Sequence, residues 1–232
     1  MREICTKYNV LMIADEVQTG IARTGKLLAV DHESVKPDLL VLGKALSGGV
    51  YPVSILWEAL IFCHALRLML TLCTPFRYAC LRPRFHLQVS AVLASDEVML
   101  TLSPGEHGST YGGNPLGSAV AIAALEVVRE EGLAENARVL GELLRTRLRE
   151  IDCPAITAVR GRGLLNAVVV KPGDTPDAPN ASTLCYALKE AGLLAKPTHD
   201  HIIRLAPPLV ITESQVEEAA AIIKNEVRKM FG

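Results

Sequence analysis

The sequence predicts an α/β fold. Two short apolar runs each end in charged residues, and strand-like and helix-like stretches alternate after residue 114. No internal repeat or low-complexity tract is visible. The first run, Val10-Leu11-Met12-Ile13-Ala14, is followed by Asp15 and Glu16 and reads as a buried parallel strand. The second, Asp38-Leu39-Leu40-Val41-Leu42-Gly43, ends at Lys44. Ligands of open α/β sheets bind at the carboxyl edge of the strands. Asp15 and Lys44, 29 residues apart, are therefore expected side by side over one crevice.

Residues 55–90 differ from the rest of the chain. These 36 residues hold the only Trp, three of the four Phe and three of the six Cys, with no Gly, Asp, Asn or Lys. Their apolar part is interrupted by Glu58, His64 and Arg67, short of the ~20 predominantly apolar residues of a membrane span, so no membrane is expected. Val53-Ser54 before the block reappears as Val89-Ser90 at its end. Removing one copy joins Tyr51-Pro52-Val53-Ser54 to Ala91-Val92-Leu93-Ala94 as one strand of good β character. The block reads as an insertion into a strand.

Asn114-Pro115 has the cap-then-proline form of a helix start, and residues 119–130 are rich in helix formers. A second helix is expected over 133–150. Strands follow at 155–159, 164–170 and 201–206, with helices near 181–191 and 213–230 and a proline-rich surface loop at 171–180. The expected division is a partial ligand-binding large domain, 1–129, and a smaller α+β domain, 130–232.

With 232 residues, 50% of them hydrophobic and 21% charged, the chain has the composition of a globular protein. A net charge of -1 without a basic stripe gives nucleic-acid binding no electrostatic support. The six cysteines form no CxxC pair and no dense framework, which suits a reducing compartment. Residues 1–5 show neither an apolar signal core nor an Arg/Ser-rich presequence, so the chain as written is expected in the cytoplasm. No metal is expected: His199-Asp200-His201 lacks a fourth partner and reads as a turn beside a strand.

Lys44 at the mouth of a parallel sheet, followed by Ala45-Leu46-Ser47-Gly48-Gly49, is a candidate Schiff-base lysine, because a desolvated amine attacks an aldehyde. Asp15 beside it is placed to stabilise a protonated pyridine nitrogen. Ser109 and Thr110, in the glycine-rich stretch 105–113 before a helix, suit a phosphate cradle, with a plain helix cap as the competing reading.

Taken in order, Ala14-Asp15-Glu16-Val17-Gln18-Thr19-Gly20, Arg23-Thr24-Gly25 and Leu42-Gly43-Lys44-Ala45-Leu46-Ser47-Gly48-Gly49 resemble the class III (ω-type) aminotransferases of fold type I. The strings at 105–117, 159–166, 192–199 and 203–209 look like the ornithine-transaminating branch of that family. The resemblance covers all but about residues 55–90. From Lys44 to Thr110 is 66 residues, and without the 36-residue block 30 remain, as in the family pattern.

The resemblance implies the C-terminal part of the fold type I large domain, a mostly parallel sheet with helices, plus the small domain. It implies pyridoxal 5'-phosphate as cofactor. Lys44 carries it covalently and shuttles the proton, Asp15 pairs with the pyridine nitrogen, and Gln18 lies near the ring's 3' oxygen. Ser109 and Thr110 bind the phosphate of the neighbouring subunit in a homo-oligomer, and Arg204 grips a substrate carboxylate, for which its fork is suited. The implied reaction moves the δ-amino group of ornithine to the 2-oxo acid 2-oxoglutarate, in the mitochondrial matrix. Relative to the family pattern the chain begins at the strand carrying Asp15. The alternative reading is therefore a catalytically incomplete fragment that acts as an interaction partner of a full-length subunit, or a product without function.

Overall fold

Two short sheets, each with its own helices, organise the chain. The computed structural model describes residues 1–49, 90–110, 112–171 and 178–232. One unit comprises Met1–Ile21 and Leu28–Glu131, the other Ala22–Leu27 and Gly132–Gly232.

In the first unit, helix α1 (Arg2–Lys7) leads to β1 (Ile13–Asp15), β2 (Leu39–Leu42) and β3 (Ala91–Ala94), in sheet order β1-β2-β3. β1 and β2 run parallel, with Asp15 opposite Val41, and β3 pairs antiparallel with β2. Strand β1 is shorter than the apolar run that predicted it, because the backbone before it is bonded elsewhere. The Val10 N–H donates to the Cys5 carbonyl and the Met12 N–H to the Asp38 carboxylate. Nor are these strands buried on both faces, as the run of apolar residues had led us to expect. The sheet has only three strands among the described residues, β1 lies at its edge, and Ile13 is 61% exposed.

Two further helices belong to this unit, α2 (Asp96–Met99) and α3 (Pro115–Glu130). The expected start of α3 is found: Asn114 Oδ1 accepts the Gly117 N–H at 2.7 Å and Pro115 takes the first helical position. The 55–90 block and the strand spliced across it lie outside the described residues, Ser90 excepted.

The second unit stacks α4 (Leu133–Arg149), α5 (Ala181–Glu190) and α6 (Glu213–Phe231) on one face of an antiparallel sheet. Its strands are β4 (Ile156–Arg162), β5 (Leu165–Val170), β6 (Lys196–Thr198) and β7 (Ile202–Leu205), in order β4-β5-β7-β6. Its core joins Leu140, Leu144 and Leu148 of α4, Val168 and Val170 of β5, Leu184 and Leu188 of α5, Ile203 of β7, and Val216, Ile223 and Val227 of α6. The 3.6-residue period on the helices and the two-residue alternation on the strands bring these side chains to one interior.

Strand β4 runs past the expected residue 159 because Gly161 adopts φ +154, a backbone few other residues take. A Cβ there would run into the Asn166 side chain. The segment Ala22–Leu27 joins this unit by backbone bonding. The Leu164 N–H donates to the Arg23 carbonyl at 3.0 Å, and Arg23 Nη1 donates to the carbonyls of Leu164 and Pro207 at 3.2 and 2.6 Å.

Candidate active site

In the first unit the carboxyl ends of two parallel neighbours carry the expected pair. Asp15 is the last residue of β1, and Lys44 follows β2 after Gly43. Lys44 opens a 3-10 turn, Lys44–Ser47, with φ +33. A left-handed backbone costs a non-glycine residue of order 1–3 kcal/mol and persists only where the surroundings enforce it. Here they do. Leu46, 2% exposed, packs with Ile21 and Ala121, the Leu46 N–H donates to the Gly43 carbonyl at 2.9 Å, and the Ser47 hydroxyl donates to the Lys44 carbonyl at 3.2 Å. Gly48 closes the turn at φ +62, where a Cβ would press on Ala124 of α3 at 3.2 Å. The strained turn turns the chain at the sheet edge and leaves the Lys44 side chain exposed.

Asp15 is exposed as well, and one carboxylate oxygen accepts the Val17 N–H at 3.1 Å. Gln18 lies in the turn that follows. That turn is held by a residue the sequence reading passed over: Glu16, 3% exposed, accepts from the Thr19 hydroxyl at 2.6 Å and from the Val30 N–H at 2.8 Å. Gly20 fits beneath it, since a Cβ would lie 2.9 Å from the Glu16 carbonyl. The available signal was an acid two residues ahead of a polar pair and a glycine, which Asp15 next door obscured.

Ser109 and Thr110 are exposed, in a loop with Gly105 at φ +93 and Gly113 at φ +66. The N-cap of α3 is Asn114, so neither hydroxyl serves as the cap. Nothing among the described residues lies within 4 Å of a Cβ built on Gly105, Gly108 or Gly113, whereas one built on Gly112 would lie 3.1 Å from Ser109 Cβ. One buried side-chain nitrogen in the same loop, His107 Nε2, has no hydrogen-bond partner among the described residues. Together the unit presents an exposed amine, an exposed carboxylate, an exposed amide and two uncommitted hydroxyls. That donor set fits a cofactor with an aldehyde, a basic ring nitrogen and a phosphate.

Arg204 belongs to the second unit. It sits half-buried on β7, opposite Ala167 of β5 and Lys196 of β6, and makes no ion pair among the described residues. The corner beneath its sheet depends on an arginine the sequence reading also missed. Arg145, 5% exposed, donates to the Gly163 carbonyl at 2.8 Å and to Asn166 Oδ1 at 2.6 Å, and its other nitrogen meets Glu142 at 2.7 Å. Gly141 and Gly163 allow the close approach, since a Cβ on Gly141 would collide with the Gly163 carbonyl. His199 and His201 flank the β6–β7 turn with their rings stacked 6.2 Å apart.

The family model for class-III aminotransferases matches residues 1–61 and 87–227. The interval left out falls inside the 55–90 block. Among curated relatives, a mitochondrial ornithine aminotransferase of Drosophila melanogaster is 53% identical over 230 residues, covering 99% of this chain and 44% of its own length. That of Rattus norvegicus is 51% identical over 227 residues, 98% of this chain and 43% of its own. The chain thus spans less than half the length of the curated relatives it matches. Among solved structures, a Plasmodium falciparum ornithine δ-aminotransferase superposes with a TM-score of 0.78 at 42% identity, over 99% of this chain and 50% of that one. An acetylornithine aminotransferase from Elizabethkingia anophelis gives 0.77 at 49% identity, over 98% and 48%.

Proposed function

The chain belongs to the class-III aminotransferases, and from that premise we propose that it carries part of an ornithine-type site, moving the δ-amino group of ornithine to 2-oxoglutarate. The observation that carries this reading is the pair at the sheet edge. Lys44 stands in a strained, packed turn after β2, and Asp15 stands at the end of the parallel neighbour β1. The family is pyridoxal-phosphate-dependent. When bound, that cofactor supplies an aldehyde that condenses with amines and a ring that draws electrons from the bond being broken.

The chain's own residues supply the rest. Lys44 Nζ would hold the cofactor through its aldehyde carbon, and as a free amine it would take and return the proton of the substrate's amine-bearing carbon. The Asp15 carboxylate keeps a proton on the ring nitrogen, and the Gln18 amide donates near the ring's 3' oxygen. Ser109 and Thr110 donate to the phosphate, in a homo-oligomer to that of the neighbouring subunit. Arg204 holds a substrate carboxylate by two parallel hydrogen bonds. The mitochondrion is the compartment we assign, on the naming of the fly and rat relatives.

The test is an absorbance spectrum of the purified chain with pyridoxal phosphate, followed by borohydride reduction and peptide mapping. A reduced adduct on Lys44, lost in Lys44→Ala, supports the reading. Adducts scattered over exposed lysines would defeat it for this chain alone. A second reading has the chain dock on a full-length subunit and lend it Ser109 and Thr110, two hydroxyls exposed in a loop. Co-purification with that subunit, without a Lys44 adduct on the separate chain, would select it.

A further inference from the structure

Glu16 is a buried acid that the proposed chemistry does not use. It follows Asp15 directly, yet the two carboxylates are placed oppositely. Asp15 is exposed at the end of β1, whereas Glu16 is 3% exposed. Taking an acid out of water is costly, and an apolar side chain of similar volume is often the more stable occupant of a buried place. What Glu16 holds therefore has to account for its burial.

It holds one turn from four directions. The Glu16 N–H donates to the Val41 carbonyl of β2 at 2.8 Å, and the Glu16 carbonyl accepts the Gly20 N–H at 2.9 Å. One carboxylate oxygen accepts the Thr19 hydroxyl at 2.6 Å. The other accepts the Val30 N–H at 2.8 Å, from the 3-10 turn Ala29–His32. Gln18 lies within this tied span and is exposed. The span is also seated on the end of β2 that leads to Lys44. A Cβ built on Gly43 would lie 3.2 Å from Val17 Cγ1, and one built on Gly20 would lie 3.2 Å from Leu42 Cδ2. Packing this close leaves the turn and the strand end little freedom to slide past each other.

We propose that Glu16 is a positioning residue, whose buried carboxyl group sets the 16–20 turn so that Asp15 and Gln18 meet the cofactor ring beside Lys44. This rests on the reading of Asp15, Gln18 and Lys44 as the cofactor-holding residues and adds the group that aligns them. The shape of the carboxyl group carries the role. Oε1 faces an N–H, which only donates, and Oε2 faces a hydroxyl, which donates or accepts. A glutamine suits the same two partners: its oxygen takes the Val30 N–H and its amide nitrogen donates to Thr19 Oγ1. An alanine makes neither bond. Positioning by shape therefore requires that Glu16→Gln keeps what Glu16→Ala loses.

The experiment follows the visible absorbance of the full chain with pyridoxal phosphate against pH, after borohydride reduction and peptide mapping have located the adduct on Lys44. Hydrogen exchange of the cofactor-free chain runs alongside. The ring-nitrogen proton kept by Asp15 and the Gln18 donor both draw electron density from the adduct nitrogen. Loosening either raises the pH at which that nitrogen loses its proton. Glu16→Ala is expected to raise this midpoint by about one pH unit, Thr19→Val by about half of one, and Glu16→Gln by less than about 0.3. In the cofactor-free chain, Glu16→Ala is expected to speed exchange of the Gly20 and Val30 amides about tenfold and to leave those of β2 unchanged. Leu188→Ala, a destabilised control in the second unit, is expected to move neither readout. A midpoint unmoved in both Glu16→Ala and Thr19→Val overturns the inference, and so does a shift in Glu16→Gln as large as in Glu16→Ala. If the unsubstituted chain forms the Lys44 adduct and the variants leave its midpoint in place, this inference alone fails. If the unsubstituted chain forms no such adduct, the cofactor reading fails and the inference with it.

Discussion

The two units solve the same problem with unequal means. Among the described residues, eighteen buried ones from three helices and the sheet of the second join one cluster, whereas the corresponding cluster of the first joins Ile21, Leu46 and Ala121. The first unit also leaves Ile4, Tyr8, Val10, Leu11 and Ile13 largely exposed along α1 and the edge strand β1. Lys44 and Asp15 nonetheless belong to the first unit, which among the described residues holds them by local devices: a strained turn, a buried glutamate, a capped helix.

That contrast breaks most visibly in the cores. Leu188 is fully buried among α5, α6 and the sheet, where little can move into the space left by truncation. Leu188→Ala should cost about 3–5 kcal/mol, and Leu46→Ala, in a small cluster free to relax, about 2–3 kcal/mol. Urea denaturation followed by circular dichroism measures both. The functional readout is expected to run the other way. Leu46→Ala releases the turn that enforces φ +33 at Lys44 and should reduce borohydride trapping there, whereas Leu188→Ala leaves trapping intact at temperatures where the chain is folded. Equal trapping in the two variants would mean that the Lys44 turn does not depend on the small cluster.

Buried polar residues sharpen the comparison at a smaller scale. Arg145→Met removes the donor from Asn166 Oδ1 and one of two donors from the Gly163 carbonyl, the other being Asn166 Nδ2, all in the interior of the second unit, and should cost about 2–3 kcal/mol. Glu16→Gln in the first unit keeps an acceptor but weakens charge-assisted bonds to Thr19 and Val30, for about 1–2 kcal/mol. If both changes were neutral, these networks would be incidental to the packing around them.

What was legible in the sequence follows the same division. Elements governed by local pattern are found within a residue or two of expectation: β2 by its apolar run, α3 by Asn114-Pro115, α4 by its 3.6-residue period, β5 by its apolar run. Residues whose role depends on a distant partner were not visible. Ala22–Leu27 belongs with the second unit through hydrogen bonds to residues 164 and 207 and close packing on Gly163 and Arg138, and burial holds the Arg23 guanidinium below its ordinary range. Strand β6 was missed because Pro197 occupies its middle, which only an edge strand tolerates. Lys196 and Arg204 were hidden for the same reason: they become cross-strand partners only through register. Asp15 and Lys44 stand at strand ends and the 109–110 pair in a glycine-rich loop, as the sequence predicts, because these positions are set by local signals.

The smallest expected effect is set by pH. Asp38 accepts the Met12 N–H and pairs with Arg2, tying α1 and the start of β1 to the strand β2 that follows it. The Met12 N–H first, and then Arg2, hold its carboxyl below the usual range. A carboxylate depressed on folding contributes stability that is fully present above its unfolded value of about 3.9 and is lost as pH falls through the lower folded value. In the second unit, Glu217 is held down by Arg147 in the same direction, but α4 and α6 keep their apolar contacts when that pair is protonated. Acidification below about pH 4 should therefore loosen residues 1–15 of the first unit before α6 of the second. Hydrogen exchange read by mass spectrometry checks this: amides near Met12 and Leu39 should accelerate first, and Asp38→Asn should make that acceleration largely independent of pH. Simultaneous loss of protection in both units would show instead that acid acts on the whole chain at once.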